Sequence, residues 1–334
     1  MTGGRRLAAL AVFLIATLSA CTPGLVIPGP AIGEPHFTET TFIAADGTEL
    51  PLRSWRPTEG KSKAVVVALH GFNDYGNFFA KTGTYLATRG VTAYAYDQRG
   101  FGAAPAPGSW AGVAAYVRDA ADAVDAAQRR HPGLPVYLHG TSMGGAVAIM
   151  AMTNAEPASA VGVILAAPAV WGRVTMPWYQ RLSLWVSAHL VPWFTVSGEG
   201  LGIKPSDNKP MLIRLGRDPK VIKHTRVGTI YGLVNLMDAA LENVAKLTTP
   251  ALILYGEKDE IIPKTPTRIM LGRLPKSATG RPRVALYANG YHMLLRDLQG
   301  AVVWKDMAAW MLDRRAPLPS NADRHPLRAL GMSR

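Results

Sequence analysis

The apolar positions of this chain fall into two kinds of run, and their alternation predicts the architecture. Short runs rich in β-branched residues recur at 64–70 (AVVVALH), 91–97 (VTAYAYD), 135–140 (PVYLHG), 161–168 (VGVILAAP), 250–256 (PALILYG) and 283–289 (RVALYAN). Each is apolar at successive positions, so both faces of the strand need covering, as in the centre of a parallel sheet. Between them lie stretches with apolar residues at helical spacing: 110–130, which ends before His131-Pro132, then 143–155, and finally 297–315. Ahead of these, 36–57 alternates about Asp46-Gly47, a hairpin signal. Strand and helix in turn imply a doubly wound, mostly parallel α/β sheet.

One interval interrupts that rhythm. Residues 171–246 contain no clear strand pattern, and four of the eight tryptophans crowd its first third. It holds ten Lys/Arg against five Asp/Glu, a surplus of five positive charges. The interval is expected to be a helical cap inserted between two strands, its aromatic cluster forming either the cap's own core or a membrane-facing surface. The core is then expected over 36–170 and 247–314, with a basic, Pro-containing tail at 315–334 that is mobile or lies on the surface.

Composition sharpens the picture in one respect. With 334 residues, 48% apolar and 18% charged, the chain can bury a sizeable core. Its formal net charge of +13 can mean nucleic acid, an anionic membrane or nothing specific. Zinc-ligand spacing, a phosphate-cradling Gly-rich loop and a long Arg/Lys tract are all missing from the sequence, so a membrane surface is the expected partner and nucleic acid is not. The N-terminus agrees. MTGGRR is a short positive region, LAALAVFLIATLSA an apolar run too short to span a bilayer comfortably, and the single cysteine, Cys21, follows. Leu18-Ser19-Ala20-Cys21 resembles the lipobox of bacterial lipoproteins, in which the cysteine becomes the lipidated first residue. That resemblance implies a signal peptide at 1–20, a lipid on Cys21, a Pro/Gly-rich tether at 21–35 and a membrane-anchored protein facing the periplasm or exterior.

The chemistry centres on LHGTSMGG, 138–145. A buried-strand pattern precedes Ser142 and a helix follows it, so G-T-S-M-G sits at a strand-to-helix turn, the setting of a nucleophile elbow. Gly140 and Gly144 are expected to be small because the turn is tight. The helix starting at Met143 would aim its free amides and positive dipole end at an oxyanion beside the serine. A serine hydroxyl needs a base. Of eight histidines, His292 alone follows the last strand on a loop at the carboxyl end of the sheet, where ligands bind. The acid is expected in YGEKDEIIP: Asp259, three residues after Gly256, is favoured over Glu257 and Glu260 because the G-x-x-D turn returns a short side chain toward the sheet edge. A second oxyanion donor, the Phe72 amide, follows His70-Gly71. The order Ser142, Asp259, His292 is that of the α/β-hydrolase triad.

On LHGFNDYGNFF, YDQRGFG, LHGTSMGG, YGEKDEIIP and GYHMLLRD, over about 49–314, the chain resembles the α/β-hydrolase superfamily. More narrowly it resembles monoacylglycerol lipase and lysophospholipase-like serine hydrolases. The resemblance implies an α/β-hydrolase fold, a cap that shapes an acyl-chain tunnel, and hydrolysis of a monoacyl lipid ester, a monoacylglycerol or a lysophospholipid, through an acyl-enzyme and without metal or organic cofactor. Two other classes compete: an aminopeptidase or amidase of the proline iminopeptidase type, which needs an acidic or polar cap group to hold an amine, and a non-catalytic envelope lipoprotein.

Overall fold

In the computed structural model, residues 25–154, 158–275, 282–324 and 330–331 are described; the signal segment 1–20, Cys21 and His325 lie outside them. Among the described residues eleven strands form: β1 (His36–Phe37), β2 (Thr41–Ile43), β3 (Glu49–Trp55), β4 (Ala64–Leu69), β5 (Val91–Tyr96), β6 (Val136–Thr141), β7 (Gly162–Ala166), β8 (Thr195–Val196), β9 (Thr225–Arg226), β10 (Ala251–Gly256) and β11 (Arg283–Tyr287). Nine of them make one sheet in the order β1-β2-β3-β5-β4-β6-β7-β10-β11. The first three, and the β3–β5 pairing, are antiparallel; from β5 to β11 every pairing is parallel. The hairpin between β2 and β3 turns at Gly47, whose φ of 79° suits glycine, and Asp46 accepts the Thr48 amide at 3.0 Å.

The unbroken apolar runs are explained by two cores, one on each side of the sheet. Alternate residues of one strand go to opposite sides: Val65 and Val67 of β4 join one core, Val66 and Ala68 the other. The first core is closed by α2 (Val113–Arg130), α3 (Met143–Thr153) and α6 (Val227–Asn243), the second by α1 (Ala80–Thr88) and α8 (Gly300–Leu312). Burying each large aliphatic side chain here is worth about 1.5–3 kcal/mol.

Between β7 and β10 come α4 (Trp178–Leu190), α5 (Lys209–Arg217), the β8–β9 ladder and α6. The interval is not uniform. Val234, Leu236, Met237, Ala240 and Leu241 of α6 belong to the main core, whereas Ala188 is the buried residue of α4. The α4 aromatics face outward: Trp178 is 73% exposed, Trp185 52% and, just beyond the helix, Trp193 64%. They are not a cap core.

Both ends of the described chain hold to the body more closely than the tether and tail readings imply. Leu25 bridges to Trp110, and the Ile32 amide donates to Ala45 O at 2.8 Å. Near the C-terminus, Leu318 and Leu330 are buried, the Leu286 amide donates to Ala322 O, and Ser320 is held by the buried Asp306 carboxylate. A helix (α7, Lys264–Arg273) links β10 to β11, and Arg268 on it donates to Leu330 O.

Candidate active site

Ser142 stands between β6 and α3 with φ 53° and ψ −117°, a backbone state that costs a non-glycine residue on the order of 1–3 kcal/mol. Its neighbours hold it there. The Ser142 amide donates to Ala166 O at 3.0 Å, and Ser142 O accepts from the amides of Gly145, Ala146 and Ala169. The turn leaves no room for side chains: a Cβ at Gly140 would lie 2.1 Å from Gly144 O, and one at Gly144 would lie 2.3 Å from Leu69 O. The strand-to-helix turn thus drives α3 against the end of β4. Gly71 follows that end, and its own Cβ would sit 3.3 Å from the Ser142 Cβ.

Asp259 and His292 meet across two loops. Asp259 N donates to Gly256 O, closing the turn after β10, and Asp259 Oδ1 accepts the Ile261 and Ile262 amides at 2.8 and 2.9 Å. The other oxygen, Oδ2, lies 2.8 Å from His292 Nδ1. A carboxylate only accepts, so Nδ1 carries a proton, and it is the neutral form of the ring that offers the Nε2 lone pair as a base. Both side chains are buried, His292 being 6% exposed. The two loops are stitched together: Glu257 N donates to Tyr287 O, Lys258 N to Gly290 O, and a Cβ at Gly256 would lie 2.4 Å from Gly290 O. The rival acid Glu260 is exposed and accepts the Lys204 amide, away from the histidine.

Ser142, Thr141, Gly71, Phe72 and His292 line one cavity of about 400 Å³, whose further walls are Trp171, Met176, Leu233, Met237 and Ile261 among other apolar groups. Ser142 and His292 share this cavity without hydrogen-bonding to each other, the loose spacing common before a substrate draws such groups together. Among the described residues the amides of Phe72 and Met143 have no protein acceptor.

Four supporting contacts escape sequence reasoning. The first concerns His70, which packs against Phe101. Its Nε2 accepts the Gln98 amide at 2.9 Å, so its Nδ1 must be the donor to Gly71 O at 2.8 Å. Gly71 O and the Phe72 amide belong to one trans peptide and point oppositely. Fastening the carbonyl therefore aims the amide. Burial pushes the His70 pKa down, consistent with a neutral ring. Second, Asp297 accepts the Tyr291 amide at 2.7 Å and the Ser206 hydroxyl at 2.6 Å, tying the histidine loop to the interval after β7; burial raises its pKa. Third, the Met293 amide donates to Pro205 O. Fourth, Arg296 pairs with Asp74 on the cavity wall. GYHMLLRD contains Tyr291, Met293, Arg296 and Asp297, but nothing local in it says what they reach. His139, His131, His189 and His36 bond to Thr141, Tyr94, Trp185 and Glu34, and not to Ser142, Asp259 or His292.

The sequence profile of the Hydrolase_4 family, described as serine aminopeptidase, S33, matches residues 60–299. The monoglyceride lipase of Homo sapiens is 28% identical over 284 residues, 82% of this chain and 90% of the relative. The monoacylglycerol lipase of Mycolicibacterium smegmatis is 24% identical over 284 residues, covering 82% and 97%. Among solved structures, a soluble variant of the Saccharomyces cerevisiae monoglyceride lipase superposes with a TM-score of 0.66 at 21% identity, over 86% of this chain and 99% of that one. That likeness is one of fold.

Proposed function

The chain belongs to the serine aminopeptidase S33 family of hydrolases, and from that premise we propose that it is a serine ester hydrolase that cleaves monoacylglycerol. The observation that carries the reading is the buried Asp259–His292 pair opening on the same apolar cavity as the strained Ser142. Ser142 Oγ attacks the ester carbonyl while its proton passes to His292 Nε2. The Phe72 and Met143 amides hold the oxyanion. As the carbon–oxygen bond to glycerol breaks, Nε2 returns the proton to the departing oxygen. Water, deprotonated by the same nitrogen, then releases the fatty acid and restores the serine.

The aminopeptidase reading is favoured only by the family's description. A substrate amine needs a carboxylate without a cation, and Asp74, the carboxylate on the cavity wall among the described residues, is paired with Arg296. The predominantly apolar walls fit an acyl chain instead. A lipid on Cys21 and attachment to the outer face of a membrane belong to the same proposal; the exposed tryptophans of the cap and its surplus of positive charge support it.

A fluorophosphonate probe tests the site. It should label the wild-type protein and not Ser142→Ala, and the wild type should release fatty acid from monoacylglycerol. Equal labelling of the two proteins would overturn the assignment of the nucleophile.

A further inference from the structure

A second cavity of about 310 Å³ lies beyond the first, and Asp74, Phe78 and Arg296 line both. Its character is different. Lys81 at the start of α1 and Arg214 on α5 project into it. Among the described residues neither has a carboxylate within ion-pairing distance. The two carboxylates of the cavity are already engaged: Asp74 by Arg296, and Asp218 by the Tyr75 hydroxyl at 2.6 Å, with Lys220 and Lys223 close by. Lined by Lys81, Arg214 and Arg296 against Asp74 and Asp218, the chamber carries a surplus of positive charge.

Its position matters as much. Arg296 stands four residues after His292 and Asp74 three after Gly71, so the dividing wall is built from the base loop and the oxyanion loop. The acyl chain has the apolar cavity; the alcohol half of the ester must leave past the base that protonates it.

We propose that the second cavity is the leaving-group site, and that Lys81 and Arg214 select monoacyl esters whose alcohol carries a phosphate. The inference rests on the ester-hydrolase reading, but the binding of the head group can be read without turnover. An anionic group there is matched by two exposed cations, Lys81 and Arg214, that have no ion-pair partner among the described residues, whereas Arg296 is already held by Asp74. A neutral glycerol head finds only hydrogen bonds.

Short-chain substrates remove the confounding attraction of a basic protein to anionic micelles. The test compares 1-butanoylglycerol with 1-butanoylglycerol 3-phosphate, both monomeric, in the wild type and in the double variant Lys81→Gln, Arg214→Gln. The expected result is a kcat/KM ratio favouring the phosphate ester in the wild type and falling roughly tenfold in the variant, since two exposed charges are lost. A ratio unmoved by the substitutions would overturn the assignment. In parallel, glycerol 3-phosphate is titrated into Ser142→Ala protein, with and without the two substitutions. Salt-sensitive binding that weakens in the triple variant supports the site, and no binding, or binding indifferent to both changes, refutes it. Failure of the wild type to hydrolyse either ester, with head-group binding intact, would instead count against the ester-hydrolase reading.

Discussion

His70, His139 and His292 are all buried, and their partners divide the work. His292 has a carboxylate behind it and a cavity in front; His70 bridges two backbone groups; His139 lies against Phe78 and Phe79. His70→Phe keeps the bulk and removes both bonds, so kcat should fall about 10²-fold with KM little changed, the size of losing one oxyanion donor. A purely structural role would lower the melting temperature and leave kcat of the folded protein alone. His139 makes a prediction about acid. Burial pushes its pKa down to about 3, so the unfolded chain binds the proton first. Its contribution is present above about pH 6.5 and lost as pH falls toward the folded value. Between pH 7 and 5 the wild type should lose about 2 kcal/mol more than His139→Phe in urea unfolding. The comparison with a variant is needed because Asp122, raised to about 6 by burial, shifts stability the opposite way over part of that range.

At the level of elements, what was legible in the sequence is what repeats locally. The six central strands declare themselves because two cores demand apolar side chains on both faces. Helices α2, α3 and α8 show their spacing or follow a turn. Helix α1 does not: its packing against β3 depends on Gly83, where a Cβ would lie 2.5 Å from the Trp55 ring, and no apolar stripe announces that. Helix α7 carries a proline at 266 and a glycine at 272. The Asp259–His292 pair, and the Ser142 that shares its cavity, could be picked from strand ends and turn chemistry. The contacts that support them could not, because they join distant positions: Gln98 with His70, Ser206 with Asp297, Asp74 with Arg296. Glycines test how rigid each element is. Gly144→Ala, facing backbone at 2.3 Å, should destabilise by about 3 kcal/mol. Gly272→Ala, with nothing within 4 Å of its Cβ, should stabilise α7 by about 0.5–1 kcal/mol. Denaturant midpoints of the two variants, moving in opposite directions, check both.

For the whole molecule, the most consequential surface is the outer side of α4 and the turn after it. Trp178, Leu182, Trp185, Trp193 and Phe194 are each more than half exposed, and Arg181 stands among them. Among the described residues no helix is long and apolar enough to cross a membrane; the membrane attachment proposed above would place this surface in the interface. Replacing Trp178, Trp185 and Trp193 together by serine should weaken partitioning of protein lacking residues 1–21 onto anionic vesicles at least tenfold in a sedimentation assay. Unchanged partitioning would remove the cap from the membrane proposal.

The strap from Leu25 to Gly33 sets how such a protein would stand. Leu25 bridges to Trp110; next to it, Ser109 accepts from Arg226, and Val227 donates to Phe194 O in the exposed aromatic turn. With Cys21 carrying lipid as proposed, four residues reach at most about 14 Å. On that proposal, so short a leash would hold the aromatic turn close to the bilayer, and the protein would sample fresh substrate by gliding sideways with its anchor instead of swinging overhead.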